Sequence, residues 1–496
     1  MTELVLGLDQ GTSSTRCVVL DAELRERGSA SVAVACSFPR AGLVEQDPQE
    51  IAASTERAIA GALADAGAGA GDVAALGIAN QTETFVVWER ATGRPVHPAI
   101  VWQDRRTDAA CSALRAHAEH VRERTGLELD ATFPATKLRW LLDEVGGGEL
   151  AYGDVASWLL HRLGGIHVCD AGNAGRSLLC PLGGRDWDDE LLELFGIPRE
   201  LLPPIVDSDG IEAAIGEIPV RAAAGDQQAS LFGLRCWEPG AAKVTLGTGA
   251  FVLAHAGSEP PRPPAGILAS CAWRRETTTS YALEGFIPTA GAAVDWFARI
   301  GALPAGPELD ALLRESEPGS VVCVPALQGF GSPTWDAGAR GALLGLSLGT
   351  TRADLARAVV DGILHQVADA VEPMGVAELW VDGGLSRSDW IVQRLADLTG
   401  ARVRRTTRSD STALGAATLA GLAAGVWAAP EALPEIALDL AAEPLLAAEE
   451  RAGERERWAE ATDIVASDPE RGGDRRRARR RGRAAHGPDP ESRAVT

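Results

Sequence analysis

Two short apolar runs lie near the start of the chain, Leu4-Val5-Leu6-Gly7-Leu8 and Arg16-Cys17-Val18-Val19-Leu20, with the polar stretch Asp9-Gln10-Gly11-Thr12-Ser13-Ser14-Thr15 between them. Apolar runs of this length, bounded by Gly, Ser and Thr, predict two buried strands joined as a hairpin. Behind Asp47-Pro48, a helix-start signal, the pattern turns helical over residues 49–66. A further strand, Ala74-Ala75-Leu76-Gly77-Ile78, runs into Asn80-Gln81-Thr82-Glu83-Thr84. Strands alternating with helices in this way predict an α/β fold.

The opening pattern returns half a chain later. Lys243-Val244-Thr245-Leu246-Gly247-Thr248-Gly249-Ala250-Phe251-Val252-Leu253 is again an apolar strand, a Gly/Thr turn and a second apolar strand. Such an echo is expected of two related domains. The boundary falls near 240, beside Glu238-Pro239-Gly240. Leu379-Trp380-Val381-Asp382-Gly383-Gly384 reads as a strand entering a diglycine turn, with a helix following over 388–399. Thr412-Ala413-Leu414-Gly415-Ala416-Ala417 opens a small-residue helix able to pack closely on its neighbours. The chain therefore divides into a first domain, 1–240, a second, 241–440, a helical segment, 441–465, and an Arg-rich tail, 466–496, expected to be disordered and solvated.

Composition narrows the class of function. The 496 residues carry a net charge of −22, which would repel phosphates and so excludes a general nucleic-acid binder. No apolar run reaches the ~18 residues that a membrane-spanning helix needs. The opening residues have neither a basic n-region nor a cleavage site, so a cytoplasmic protein is expected. The eight cysteines are scattered without a Cys-x-x-Cys pair and read mostly as small buried hydrophobes; His117 and His120 read as surface neighbours. Only two lysines occur, Lys137 and Lys243, and neither closes a Gly-x-x-x-x-Gly-Lys-Ser/Thr loop, which excludes a Walker-type nucleotide site.

Four clusters carry candidate chemistry. In Asp9-x-Gly11-Thr12-x-x-x-Arg16 a tight turn offers backbone N–H groups and the hydroxyls of Thr12, Ser13 and Ser14 to phosphate oxygens. Arg16 can reach the same polyphosphate, and Asp9 can hold a metal ion through water. In Gly225-Asp226-Gln227-Gln228 the aspartate can take a proton from a substrate hydroxyl while Gln227 holds a second one. Gly247-Thr248-Gly249 is another phosphate-sized turn, and Gly383-Gly384 would let a flat ring lie against the backbone. Each cluster alone is also consistent with an ordinary polar turn.

Taken in order, these motifs resemble the FGGY carbohydrate kinases, and within that family most closely the glycerol kinases. The resemblance covers about residues 4–430. It also rests on Val44-Glu45-Gln46-Asp47-Pro48, Ile100-Val101-Trp102-Gln103-Asp104-Arg105-Arg106-Thr107 and Tyr281-Ala282-Leu283-Glu284-Gly285. It implies two actin-like domains of the ribonuclease H type, with ATP on one and a polyol in the cleft between them. By the same resemblance Asp9 orients Mg²⁺; Thr12, Ser13, Ser14 and Arg16 form the first phosphate loop, and Gly247 and Thr248 the second. Gly291 and Gly384 match glycines that touch ATP. Asp226 is implied as the general base, and Glu83, Trp102, Gln227 and Phe251 as substrate contacts.

Five positions depart from the glycerol-kinase pattern. Thr82 replaces an arginine and Thr132 a tyrosine, both substrate contacts in that group. Asp295 and Ser388 stand for a glutamine and an asparagine near the nucleotide. Asp104 replaces a cysteine and would add an acceptor to the cleft if it faced it. The expected activity is transfer of the γ-phosphoryl group of ATP, with Mg²⁺, to glycerol or a related small polyol or sugar. The alternatives are a larger polyol or ketose as acceptor, a non-transferring ATPase and a sensor. Domain closure is expected about crossings near 240 and 430, and a homo-oligomer is compatible with the sequence.

Overall fold

A computed structural model describes residues 3–276, 278–304, 306–408 and 410–466. The Arg-rich tail lies outside the described residues from 467 onward. Two mixed sheets organise the chain, and each begins with one of the two hairpins read from the sequence.

In the first sheet, Leu4–Gln10 pairs antiparallel with Ser14–Leu20, which pairs antiparallel with Glu26–Ala33. On its other side Leu4–Gln10 runs parallel to Val73–Asn80, which runs parallel to Ile218–Gly225; Ala213–Ile215 closes that edge. The second sheet repeats the plan. Ala241–Leu246 pairs antiparallel with Ala250–Gly257, which pairs antiparallel with Thr278–Ile287. Parallel to it come Glu378–Asp382 and then Arg402–Thr406, with Leu268–Arg275 and Leu438–Ala442 added at the two edges. The duplication suggested by the two hairpins thus extends to five strands in the same order and sense.

The hairpin strands are apolar on both faces because both faces are covered. Leu6, Leu8, Cys17 and Val19 pack with Ile51, Ala58 and Ile59 of helix Pro48–Ala66, which Asp47 caps by accepting from the Gln49 N–H. Val5, Val18 and Leu20 face the other way, against helix Ser411–Ala423. That small-residue helix follows the last parallel strand of the second sheet yet lies on the first. A Cβ at Gly77 would fall 1.9 Å from the Ala416 carbonyl oxygen, so only glycine admits the helix backbone there. The same helix packs on Asp226–Gly233, the helix that follows Ile218–Gly225, and a Cβ at Gly415 would fall 1.7 Å from the Ala229 carbonyl oxygen.

The segment between Val73–Asn80 and Ile218–Gly225 contributes most of a small antiparallel sheet, ordered Glu45–Gln46, Ala99–Ile100, Phe85–Glu89, Leu150–Asp154, and helix Pro134–Val145 beside it. The sequence reading did not resolve this sheet. Toward the C-terminus, helix Ala448–Val465 docks by burying Trp458, whose ring stacks on His365 at 5.2 Å and whose indole N–H donates to Asp369 at 2.7 Å. Among the described residues no helix is long and apolar enough to cross a membrane.

Candidate active site

The parallel strands of both sheets end toward one cleft, where chain direction leaves side chains free to meet a ligand. In register, Gln10 lies beside Asn80 and Asn80 beside Gly225, so Asp9 and Asp226 emerge at the same end of the sheet, on either side of Val73–Asn80. From the second sheet, Asp382 ends its strand beside Thr245. The turn after Asp9 is held by the Gly11 N–H donating to the Ser14 carbonyl at 2.9 Å. Gln46 Nε2 donates to the Thr12 carbonyl at 2.7 Å, and the Trp102 indole donates to Thr12 Oγ1 at 3.0 Å. Ser13 is exposed at the tip, with Ser14 and Arg16 on the returning strand; Arg16 lies opposite Asp9 in register.

The second turn, Gly247-Thr248-Gly249, leaves Thr248 exposed. The first turn of helix Gly291–Arg299 sits on it: the Ala290 and Ala292 N–H groups donate to the Thr248 carbonyl at 3.0 Å, and the Gly291 N–H donates to the Gly247 carbonyl at 2.9 Å. Gly291 therefore works at least as a backbone-to-backbone contact. Asp295, one turn along the same helix, is exposed. A Cβ at Gly384 would meet nothing within 4 Å, so that glycine borders open space. Ser388 is the N-cap of helix Asp389–Thr399, accepting from the Ile391 N–H at 3.3 Å, and its hydroxyl also donates to Asp310.

Carboxylates outnumber cations where these elements meet. Burial foremost, then the charge of Asp226, pushes Asp9 up to about 7; Arg16 opposes this, and Asp410 and Asp382 add to it. Asp382 Oδ1 is buried with no hydrogen-bond partner among the described residues. A charge surplus and an unsatisfied carboxylate oxygen suit a hard cation. No three acidic, His or Cys side chains among the described residues come close enough to hold one ion directly. The donor set thus fits Mg²⁺, which is commonly held by one or two carboxylates together with water and phosphate.

Beside this wall is a cavity of about 120 Å³. Thr82, Glu83, Thr132, Asp226 and Gln227 bring polar atoms to it, as do Thr12, Arg176, Gln228 and Glu284; Trp102, Phe133, Phe251, Phe286 and Trp335 supply most of the carbon. Trp102 and Phe251 meet edge to face at 6.2 Å. Burial first, then the nearby Glu83 charge, pushes Asp226 up to about 6, while Lys243 and the Gln227 N–H pull it back. Glu83 is buried at a φ of 62°, a left-handed conformation costing about 1–3 kcal/mol for a residue with a side chain and one that clusters at functional sites.

Asp104 is not part of this cavity. It is fully buried, accepting from the Val44 N–H at 2.7 Å and from Arg106 Nε at 2.8 Å, and its oxygens are occupied in anchoring that loop. The expectation that it would add an acceptor to the cleft is corrected accordingly. Conversely, sequence reasoning missed Arg176, which lines the cavity. Its Nε donates to Glu83 at 2.6 Å and its Nη1 to Glu284, and its guanidinium lies 5.3 Å from the Phe133 ring centre. Glu284 belongs to the second sheet, so this buried Glu83–Arg176–Glu284 chain joins the two halves behind the cavity. A lone arginine in Asn173-Ala174-Gly175-Arg176 has no spacing signal; the Glu284 motif was the only visible hint.

Comparison with known proteins bears on this arrangement. Residues 4–233 match the N-terminal domain of the FGGY family of carbohydrate kinases, and residues 242–424 match its C-terminal domain. The chain belongs to the FGGY carbohydrate kinases. Among relatives of this FGGY kinase, a glycerol kinase of Aromatoleum aromaticum is 45% identical over 486 residues, covering 92% of this chain and 98% of that protein. A glycerol kinase of Deinococcus radiodurans is 41% identical, covering 92% and 97%. Among solved structures, Plasmodium falciparum glycerol kinase with ADP superposes with a TM-score of 0.87 at 27% identity, covering 94% of this chain and 98% of that one. The gluconate kinase of Lactobacillus acidophilus, at 22% identity and a TM-score of 0.85, shares the fold.

Proposed function

We propose that this FGGY kinase transfers the γ-phosphoryl group of ATP to a terminal hydroxyl of glycerol. The observation that carries the reading is the cavity itself. Two carboxylates, Glu83 and Asp226, and the Gln227 amide face the edge-to-face pair Trp102 and Phe251, in a space sized for a small polyol and next to the Asp9–Arg16 hairpin turn. The names of the relatives at 41–45% identity support it.

Asp226 takes the proton of the attacking hydroxyl, for which a carboxylate raised to about 6 is well matched to neutral pH. Glu83, held by Arg176, accepts from a second hydroxyl, and Trp102 and Phe251 pack on the carbon chain. Thr12, Ser13, Ser14 and Arg16 on one turn and Gly247 and Thr248 on the other hold phosphate oxygens, while Gly384 leaves room for the nucleotide's ring. Phosphoryl transfer passes through a loose transition state, so these groups act mainly by positioning and by offsetting charge. Mg²⁺, held through Asp9 and water, supplies further neutralisation of the phosphates when bound.

A second reading, a pentulose or longer polyol as acceptor, is favoured by the short side chains of Thr82 and Thr132 on the cavity wall. ADP release with Mg-ATP across glycerol, tetritols, pentitols and pentuloses, beside a blank without acceptor, separates the two. Glycerol is expected to raise the rate at least about tenfold over the blank. A pentulose far ahead of glycerol establishes the second reading, and equal release with and without every acceptor rejects both in favour of an ATPase or sensor.

A further inference from the structure

Of the 47 basic residues in the chain, 45 are arginine, and the two lysines are both buried beside the acceptor cavity. Lys137 donates to the carbonyl oxygens of Thr132 at 2.9 Å, Val101 at 3.3 Å and Trp102 at 3.5 Å, bracing two stretches of the cavity wall. Lys243 comes from the second sheet. Its ammonium donates to Thr245 Oγ1 at 2.8 Å and to the side-chain oxygen of Gln227, the second residue of helix Asp226–Gly233. A compact ammonium gathers its three donors at one point, whereas a guanidinium spreads its donors over a rigid plane. A chain that uses arginine nearly everywhere else keeps lysine at these two places.

We propose that Lys243 is a positioning residue that fixes the Gln227 side chain with its NH₂ end turned to the acceptor. An ammonium has three donors and no acceptor, so the end of the Gln227 amide that meets it must be the oxygen. The opposite end is the NH₂ group, and Gln227 lines the cavity. The Gln227 NH₂ group, which also reaches Asp226, then stands as a donor beside the carboxylates Glu83 and Asp226. That pattern suits an acceptor with adjacent hydroxyls, one of which donates to Asp226 as it reacts while another accepts from Gln227. Around the ammonium stand Asp382, Asp226 and Glu284, whose charges oppose the effect of burial on it. The inference rests on the acceptor site proposed above.

The test uses the full-length enzyme and a double-mutant cycle of Lys243→Met with Gln227→Ala. Lys243→Met is expected to raise KM for glycerol about tenfold while KM for ATP stays within about twofold. In the Gln227→Ala background the same change is expected to move glycerol KM by less than about threefold, because the group through which Lys243 acts is already gone. Gln227→Glu, which keeps a partner for Lys243 but removes the donor, is expected to raise glycerol KM as Gln227→Ala does; it also serves if the Met variant does not fold. Additive effects, an equal rise in both KM values, or wild-type glycerol KM in Gln227→Glu overturns the proposal. Absence of acceptor-dependent turnover in the wild type removes the acceptor site and this inference together, an outcome distinct from additivity in an active enzyme.

Discussion

A carboxylate that must take a proton at neutral pH works best with a pKa near the working pH, and at Asp226 burial and Glu83 raise it to about 6. The ionised form is the base, so kcat/KM should climb as pH rises through about 6 and flatten above it. Asp226→Asn should lower kcat by about 10²–10⁴-fold, the usual range for a general base, while Mg-ADP affinity, measured by calorimetry, changes little. At the cavity wall, Thr82→Arg with Thr132→Tyr should raise the ratio of glycerol to pentitol turnover several-fold, because a fixed donor fork rejects acceptors whose hydroxyls do not match it. An unchanged ratio places neither residue against the substrate. At this scale the sequence made the polar cavity residues legible, since motif and side-chain chemistry agree at Glu83, Asp226 and Gln227. It misplaced Asp104, because whether a loop carboxylate faces ligand or its own backbone depends on which N–H groups the loop leaves unpaired. Here the Val44 N–H and Arg106 claim it. It missed Arg176 because the partners Glu83 and Glu284 are 93 and 108 residues away.

Local signals served the elements better. Asp47-Pro48 starts a helix where expected because the cap and the fixed φ of proline act within one turn. The hairpins were legible because their pairing is local. The order of the parallel strands was not, since Val73–Asn80 and Ile218–Gly225 pair across more than a hundred residues. Ser388 lies where the resemblance implied a nucleotide contact, but it caps a helix through its hydroxyl, and helix capping has its own reasons to place serine there. Helices Asp226–Gly233 and Ser411–Ala423 meet backbone to backbone. Gly415→Ala puts a methyl 1.7 Å from the Ala229 carbonyl oxygen and forces the helices apart. Thermal unfolding should report a loss of about 1–3 kcal/mol, as for other overpacked contacts. Since the first of these helices begins with Asp226 and Gln227, kcat/KM for the acceptor should fall in the same variant. Unchanged stability and turnover would mean the helices can slide without disturbing the site.

Across the whole molecule, the acidic cleft links stability to pH and ligand. Asp9 and Asp170 are both raised to about 7, burial being the largest cause in each case. A carboxyl group raised on folding favours the folded state most fully below its unfolded pKa, near pH 4, and that contribution fades as pH climbs through about 7. At Asp9 a cation reverses the loss, because the ionised form is the one that attracts it. Mg-ADP should therefore raise the unfolding temperature more at pH 8 than at pH 5.5, where Asp9 must first release a proton. An equal increment at both pH values would separate Asp9 from the metal.

Helix Ser411–Ala423 covers a face of the first sheet whose own strands are finished by Gly225. During synthesis, then, Val5, Val18 and Leu20 leave the ribosome about four hundred residues before the segment that shields them. The nascent first half carries an oily, unfinished surface until that helix is made, and its folding is completed only then. The two halves echo each other in architecture, but as units of biogenesis they are one.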